Sequence, residues 1–510
     1  MRSNALGVAA ADRRVWQQAA WIIAALFAIF WAILRACTQS LTVDETDTYL
    51  WFVAKSASRV WEPFPNNHLL NSLLMWVFTH SFGPSSLTLR LPALCGAALY
   101  IAISYFLSRG ITDRFSLQFP VFICLVYNPF ILDFMSAARG YSLANAFLLA
   151  AIAIPVWHRQ PSGPSLRRSC TLASLALALS FLAVFAFAFV DLAVFFALAV
   201  WAIRRRGDDS IVRILLHCAL PGLLLALVAA GYPLAHWPSK ELWYGAHSLR
   251  EMKNGLIEAS LHQLNPRFGD ARWYRAIYRL KPLLLPVLAL FCVCRVAVAG
   301  LDGSYNRDVR ARWLVKFAAA LSAILAFTLL LHWLAFRFNG LPLPKTRTGI
   351  FLLPLCTLLA AVIAASPARS RISQWLRRGT TAAIFCLACY FLLCLRVSYF
   401  EEYQFDADLK DVYSVLARLN HTYGINDVAA HALYYSPLEF YRVRSNRETF
   451  TEFLDVDALP SGRSAYVLRW PYYHAFVDSE KLRIIYHGKS TDVVVAVRSD
   501  DSRLPAVIEP

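Results

Sequence analysis

Residues 15–47 read VWQQAAWIIAALFAIFWAILRACTQSLTVDETD. The first part, 15–36, is apolar over the length of a membrane-crossing helix, about 20 residues. The second part, Asp44-Glu45-Thr46-Asp47, puts three carboxylates into four positions, in a chain with only 33 Asp and Glu among 510 residues. A carboxylate at a water–lipid boundary is costly unless it serves a pathway, a partner or a reaction. The apolar part decides the fold class, and the acidic part marks where chemistry is expected.

The rest of the chain extends the first part. It is 58% hydrophobic and 16% charged, which fits a polytopic membrane protein better than any soluble class. Further apolar runs cover 88–107, 116–133, 141–157, 170–186, 188–203, 214–233, 283–300, 316–338, 349–366 and 379–397, with a shorter one at 69–82. Helices are expected rather than a barrel, because barrel strands read as short alternating segments. The expected fold is an all-α polytopic domain over 1–397, with about 11–12 transmembrane helices and extracytoplasmic loops at 37–67 and 234–282. Residues 398–510 are charged and turn-rich, with no long apolar run. Leu409, Val412, Tyr413, Val415 and Leu416 recur at helical spacing, predicting a helix over 405–419. The runs 465–470 and 492–498 are β-branched or aromatic and predict strands, so this part reads as a small α/β domain.

The net charge of +17 does not point to nucleic acid. The cations cluster between apolar spans, as in Arg167-Arg168, Arg204-Arg205-Arg206 and Arg377-Arg378, which is the positive-inside pattern. The eleven cysteines lie mostly within apolar spans and offer neither a disulfide framework nor zinc spacing. Arg13-Arg14 place the N-terminus in the cytoplasm and so put Asp44 and Glu45 outside. The loops 158–168, 204–213, 307–312 and 369–378 then read as cytoplasmic, and 234–282, 336–348 and everything after 398 as outside. Between 68 and 140 the count does not close. Three apolar stretches would put Arg139 inside, whereas the later basic loops require it outside. One stretch therefore fails to cross: the short 69–82, or 116–133, which Asn128-Pro129 interrupts.

Several constellations gather on the outer side. Asp44 or Glu45 can bind a cation or act as general base, while the bland alternative is an N-cap formed by Asp44 with Asp47. Pro65-Asn66-Asn67-His68-Leu69-Leu70-Asn71 offers a polar wall, with His68 and Asn71 on one helix face, or else an interfacial turn. In Ala138-Arg139-Gly140-Tyr141-Ser142, Arg139 either snorkels to the interface or clamps a phosphate. Lys345 and Arg347 form a basic pair on the side where few are expected, suited to capturing an anionic lipid head group or to anchoring the next helix. Residues 234–282 carry His236, Trp237, Trp243, Tyr244, His262, Trp273 and Tyr274, either an aromatic belt or a loop that shapes a ligand site.

Taken in order, these segments resemble the GT-C superfamily of integral-membrane glycosyltransferases. Asp44-Glu45 after the first span, Asn67-His68-Leu69-Leu70-Asn71 and Leu89-Arg90-Leu91-Pro92-Ala93-Leu94 look like the protein mannosyltransferase and aminoarabinose transferase branch. Ala138-Arg139-Gly140-Tyr141-Ser142-Leu143 and Arg347-Thr348-Gly349-Ile350-Phe351-Leu352-Leu353-Pro354-Leu355 are similar to bacterial members of that branch. The resemblance implies a bacterial inner-membrane enzyme that moves a sugar from a polyprenyl-phosphate donor to a lipid, glycan or protein hydroxyl, with inversion. It implies Asp44 or Glu45 as base, and a divalent cation (Mg or Mn) at the same acids in some members. Asn67, His68, Asn71, Arg139, Tyr141, Lys345 and Arg347 are the expected substrate-binding residues. Where some relatives carry an acidic-basic pair at the head of the second segment, this chain has Asn66-Asn67-His68, which leaves phosphate binding to Arg347, Lys345 or Arg139. The alternative is a lipid or glycolipid transporter, which needs ionisable residues within the spans; Asp191 is the clearest of the few present.

Overall fold

The computed structural model describes residues 2–238, 242, 244–261, 265–269, 271–301, 308–445, 454–456 and 460–500. Trp243, His262 and Arg307 lie outside the described residues. The membrane part is helical. In chain order it contains α1 (Arg2–Thr38), α2 (Val43–Asp47), α3 (Leu69–Phe82), α4 (Ser86–Ile111), α5 (Phe115–Val126), α6 (Pro129–Ser136), α7 (Tyr141–His158) and α8 (Leu166–Ala183). There follow α9 (Ala188–Arg205), α10 (Ile211–Ala235), α11 (Leu249–Leu261), α12 (Arg272–Leu280), α13 (Leu284–Leu301), α14 (Val309–Asn339), α15 (Leu352–Ala365) and α16 (Arg371–Leu393). Among the described residues ten helices are long and apolar enough to cross a membrane, or eleven if the bent pair α5–α6 counts as one span.

The structure answers the parity question between 68 and 140. Asn66, just before α3, reaches Asp44. Arg90, one turn into α4, donates to the carbonyls of Ala36, Gln39 and Ser40 at the end of α1. Helix α3 thus begins and ends at the same end of the bundle. Its 14 residues reach only about 21 Å, so it runs along that end and does not cross. The pair α5–α6 does cross. Arg114, before α5, donates to Ala364 O at the far end of α15, and Ser136, closing α6, donates back to Ala32 O of α1. The bend of 54° falls at Asn128-Pro129. Proline lacks the N–H that would continue α5, and the Asn128 side chain caps the new helix by accepting from Phe130 N and Ile131 N. Small residues bring spans close together: a Cβ on Gly96 of α4 would lie 2.6 Å from Leu143 N of α7.

The C-terminal part is α/β. Helices α17 (Leu409–Tyr423), α18 (Ala432–Arg444) and α19 (His474–Ser479) accompany strands β1 (Val428–His431), β2 (Leu454–Val456), β3 (Ala465–Arg469), β4 (Leu482–His487) and β5 (Val493–Arg498). The sheet order is β2-β1-β3-β5-β4, with β1 parallel to both neighbours and β5 antiparallel to β3 and β4. The strand period of two sorts the residues onto two faces. Val428, Ala430, Val467 and Val495 pack with Val412 and Leu416 of α17, whereas Ala429, Tyr466, Leu468 and Val494 pack with Val477 of α19. Helix α18 docks on the first loop: Leu41 N donates to Tyr441 OH at 3.0 Å, and Ser436 donates to Asp47.

Candidate functional site

The short helix α2 sets the site. Thr42 caps it: its Oγ1 accepts from Glu45 N, and Glu45 Oε2 accepts from Thr42 N at 2.8 Å. This reciprocal capping box is built on Thr42 and Glu45, and not on Asp44 and Asp47 as the sequence suggested. Threonine satisfies the first amides as well as aspartate does, so the helix starts two residues earlier. Successive residues on a helix point about 100° apart. Asp44 and Glu45 therefore face different surroundings.

Glu45 is fully buried and forms a two-pronged pair with Arg90, Nε–Oε1 and Nη2–Oε2 both at 2.8 Å. Its Oε1 also accepts from Ala138 N at 2.6 Å. Arg90 spends its remaining donors on the end of α1. Both carboxylate oxygens are thus saturated by groups that fold the chain, and none of them leaves room for an acceptor hydroxyl. Glu45 is not placed to serve as a base.

Asp44 is 13% exposed at its side chain. Its Oδ2 lies 3.1 Å from Arg347 Nη1 and 3.8 Å from Arg139 Nη2, and accepts from Tyr403 OH at 2.6 Å; Oδ1 is 3.5 Å from Asn66 Nδ2. Burial by itself would raise the Asp44 carboxyl. The Arg347 and Arg139 charges and the Tyr403 and Asn66 hydrogen bonds outweigh it and hold the group well below the usual carboxylate range.

The two arginines reach Asp44 by different routes. Arg139 is fully buried on the turn before α7, where it donates to Asp44 O, Thr48 Oγ1 and Asn66 Oδ1. That turn needs Gly140: a Cβ there would lie 1.9 Å from Ala183 O at the end of α8. Arg347 sits before α15, with Nη1 also 3.2 Å from Glu402 Oε1 and 2.9 Å from Tyr403 OH. Its guanidinium lies over the Tyr244 ring, 4.4 Å from the centroid. The preceding Thr346 has φ +43°, a left-handed conformation rare for a β-branched residue, and its hydroxyl donates to Glu402 at 2.9 Å.

Other expected residues divide. His68 is buried against Tyr141, ring centroids 5.2 Å apart, and Asn71 Nδ2 donates to Ala138 O. Burial, then the Arg139 and Arg347 charges, depress the His68 imidazole well below its ordinary value, so it is neutral near pH 7. Asn67 turns away and braces its own loop, donating to Val60 O and Glu62 O and accepting from Ser72. Its neighbour Asn66 is the one that meets Asp44. Lys345 pairs with Glu251 of α11 at 2.8 Å, about a third exposed, and not with the Asp44 group.

Asp44, Asn66, His68, Arg139, Tyr141 and Arg347 thus converge from the ends of four segments. Tyr244, from the aromatic loop, joins them, as do Glu402 and Tyr403, which were not expected. Tyr244 had a faint signal in the aromatic loop. Glu402 and Tyr403 follow the last span with no pattern to mark them. Several buried polar atoms of the group and its neighbours have no hydrogen-bond partner among the described residues: His68 Nε2, Asn71 Oδ1, Arg139 Nε and Glu402 Oε2. Unpartnered buried polar atoms are rare, and together they suit a polar ligand. A divalent cation fits poorly. Both oxygens of Glu45 are committed to Arg90 and backbone amides, and Asp44 faces two cations. Among the described residues no three His, Cys, Asp or Glu gather as a ligand set.

No family model and no curated protein matches the chain. Among solved structures it is similar to ArnT from Cupriavidus metallidurans bound to undecaprenyl phosphate, with TM-score 0.47 and 11% identity over 94% of this chain and 98% of that one. It is also similar to the oligosaccharyltransferase AglB from Archaeoglobus fulgidus in complex with an inhibitory peptide and a dolichol-phosphate, with TM-score 0.43 and 11% identity over 97% of this chain and 75% of that one. Likenesses of this degree carry no argument about the chemistry of this chain, which rests on the residues around Asp44.

Proposed function

We propose that this chain is a GT-C-type glycosyltransferase of the bacterial inner membrane, with its N-terminus cytoplasmic and the Asp44 site and the C-terminal domain outside. The donor is a polyprenyl-phosphate sugar and the acceptor a hydroxyl on a lipid, glycan or protein. The observation that carries this is a partly exposed carboxylate flanked by a buried arginine, Arg139, and a partly exposed one, Arg347, at one end of an apolar helix bundle, with unpartnered polar atoms nearby. The ordered sequence segments support the same class.

In the proposed reaction the acceptor oxygen attacks the anomeric carbon from the face opposite the phosphate. The new C–O bond forms as the bond from that carbon to the phosphate oxygen breaks, which inverts the centre. The hydroxyl proton passes to Asp44 Oδ1, which is held only loosely, by Asn66 Nδ2 at 3.5 Å, while Oδ2 stays with Tyr403 and Arg347. The departing polyprenyl phosphate keeps the bonding electron pair, and Arg347 and Arg139 stabilise its growing charge. A phosphate within reach of Arg347 competes with Asp44 for that cation. Each cation drawn away makes Asp44 a stronger base, so donor capture readies the carboxylate for the proton. His68, neutral and with Nε2 unpartnered, can accept from a sugar hydroxyl. No step is routed through a metal ion.

A transport activity would call for a relay of ionisable groups across the spans. The buried carboxylates on the described spans are Asp133, tied to Arg35 and Arg396, and Asp191, beside Ser180. These do not form a path.

The test is Asp44→Asn in membranes assayed for transfer from lipid-linked sugar, where loss of about a hundred- to ten-thousandfold is expected with the protein still folded. Transfer at the normal rate removes Asp44 as base. Arg347→Ala should weaken donor binding more than acceptor binding; the reverse would put the lipid phosphate elsewhere. Mass spectrometry of lipids and surface glycans from a deletion strain identifies the sugar and acceptor.

A further inference from the structure

Residues 396–406 run from the last span to the C-terminal domain, and they are held down along their length. Asp133 of α6 lies 2.7 Å from Arg35 Nη2 and 3.1 Å from Arg396 Nη2, and accepts from Glu401 N at 2.8 Å. The Phe400 ring lies between two guanidinium groups, 4.7 Å from that of Arg35 and 5.3 Å from that of Arg90. Beyond it, Asp406 accepts from Val43 N at 2.8 Å, and Ser40 Oγ donates to Ala407 O at 2.6 Å. This strap is therefore fastened to α1, α4, α6 and the start of α2. The fastening carries Glu402 and Tyr403 to the site. Tyr403 is 3% exposed; its hydroxyl donates to Asp44 Oδ2 at 2.6 Å and accepts from Arg347 Nη1 at 2.9 Å. Glu402 Oε1 takes donors from Arg347, Thr346 and Tyr244, while its buried Oε2 has no partner among the described residues.

We propose that the strap completes the catalytic centre, with Tyr403 as positioning residue for Asp44 and Glu402 as positioning residue for Arg347, an inference that rests on the transferase function above. Tyr403 fixes Oδ2 at one orientation by bonding both to it and to the Arg347 guanidinium that pairs with it. Glu402 gives Arg347 a second anionic partner, so that a donor phosphate meets an arginine that is already shared and aimed. The unpartnered Oε2 of Glu402 lies where a sugar or acceptor hydroxyl can donate to it. A tyrosine used only for packing would need no hydroxyl bonded to both a carboxylate and its guanidinium partner.

The test uses the full-length protein in membranes, with a polyprenyl-phosphate sugar as donor, and compares Tyr403→Phe and Glu402→Gln. The charged and titratable groups facing Asp44 are Arg347, Arg139, His68, Tyr141, Tyr403 and Asp406, with Glu402 on Arg347. A base works in its ionised form, and the Tyr403 hydrogen bond favours that form. Removing it raises the Asp44 carboxyl. The carboxylate stays ionised near neutral pH, so the cost of Tyr403→Phe is lost orientation: kcat should fall about tenfold at constant donor KM, and the raised carboxyl should move the acid limb of the pH–rate profile to higher pH. Glu402→Gln should raise donor KM with the acid limb unmoved. A strap that is merely structural would lower activity and thermal stability in proportion, with KM and the pH profile unchanged, and that result overturns the proposal. If Asp44→Asn is inactive while Tyr403→Phe behaves as wild type, the strap's role alone is refuted; if Asp44→Asn is active, the transferase site itself falls first.

Discussion

Asp44 and Glu45 are adjacent in the chain and alike in chemistry, yet the fold gives them opposite tasks. Glu45 faces inward to Arg90, with both oxygens engaged by a guanidinium and by backbone amides. Asp44 faces the end of the bundle, between two arginines, a tyrosine and partial access to solvent. The closed pair holds the first loop against α1 and α4. The other keeps part of its side chain exposed. One residue of helical rotation gives two like carboxylates different surroundings, one closed by structural partners and the other the base in the proposed reaction.

Three substitutions sharpen that comparison. Arg90→Ala strands the buried Glu45 charge and should cost about 3–5 kcal/mol, seen as a large fall in melting temperature or in folded yield, whereas Asp44→Asn should fold normally. If Glu45→Gln instead folds well and loses only transfer, the division of roles is wrong. Gly140→Ala brings a Cβ against Ala183 O and forces the Arg139 turn to move; about 1–3 kcal/mol of stability should be lost, together with much of the transfer rate. A wild-type rate in that variant would detach Arg139 from the site. Lys345→Ala removes only the partly exposed pair with Glu251, and should change stability by less than about 1 kcal/mol and donor KM hardly at all. A marked rise in donor KM there would return Lys345 to the phosphate side.

The sequence was informative where the physics is local. Apolar runs long enough to cross a membrane announce themselves, and the described spans follow them. Asn128-Pro129 breaks α5 from α6 because proline has no amide to donate. The parity conflict showed that one stretch fails to cross, but only Arg90 reaching back to α1 identified it as α3. The neighbours Asn66 and Asn67 illustrate the limit. Both are polar and both stand at a helix mouth, and loop closure alone decides that Asn67 binds its own backbone while Asn66 meets Asp44 and Arg139. Lys345 and Arg347 differ in the same way, two residues apart, with one on α11 and the other at Asp44.

By itself, then, the sequence determined a polytopic helical domain with a small α/β domain after it, and an acidic loop as the place to look. These follow from hydrophobicity, periodicity and the cost of charge near lipid, which act over a few residues at a time. Tertiary structure alone decided which carboxylate is partly exposed, which cations face it, and that Glu402 and Tyr403 join from about 360 positions away in the chain. Those are long-range pairings, set by how helix ends meet, and no local pattern in the chain encodes them.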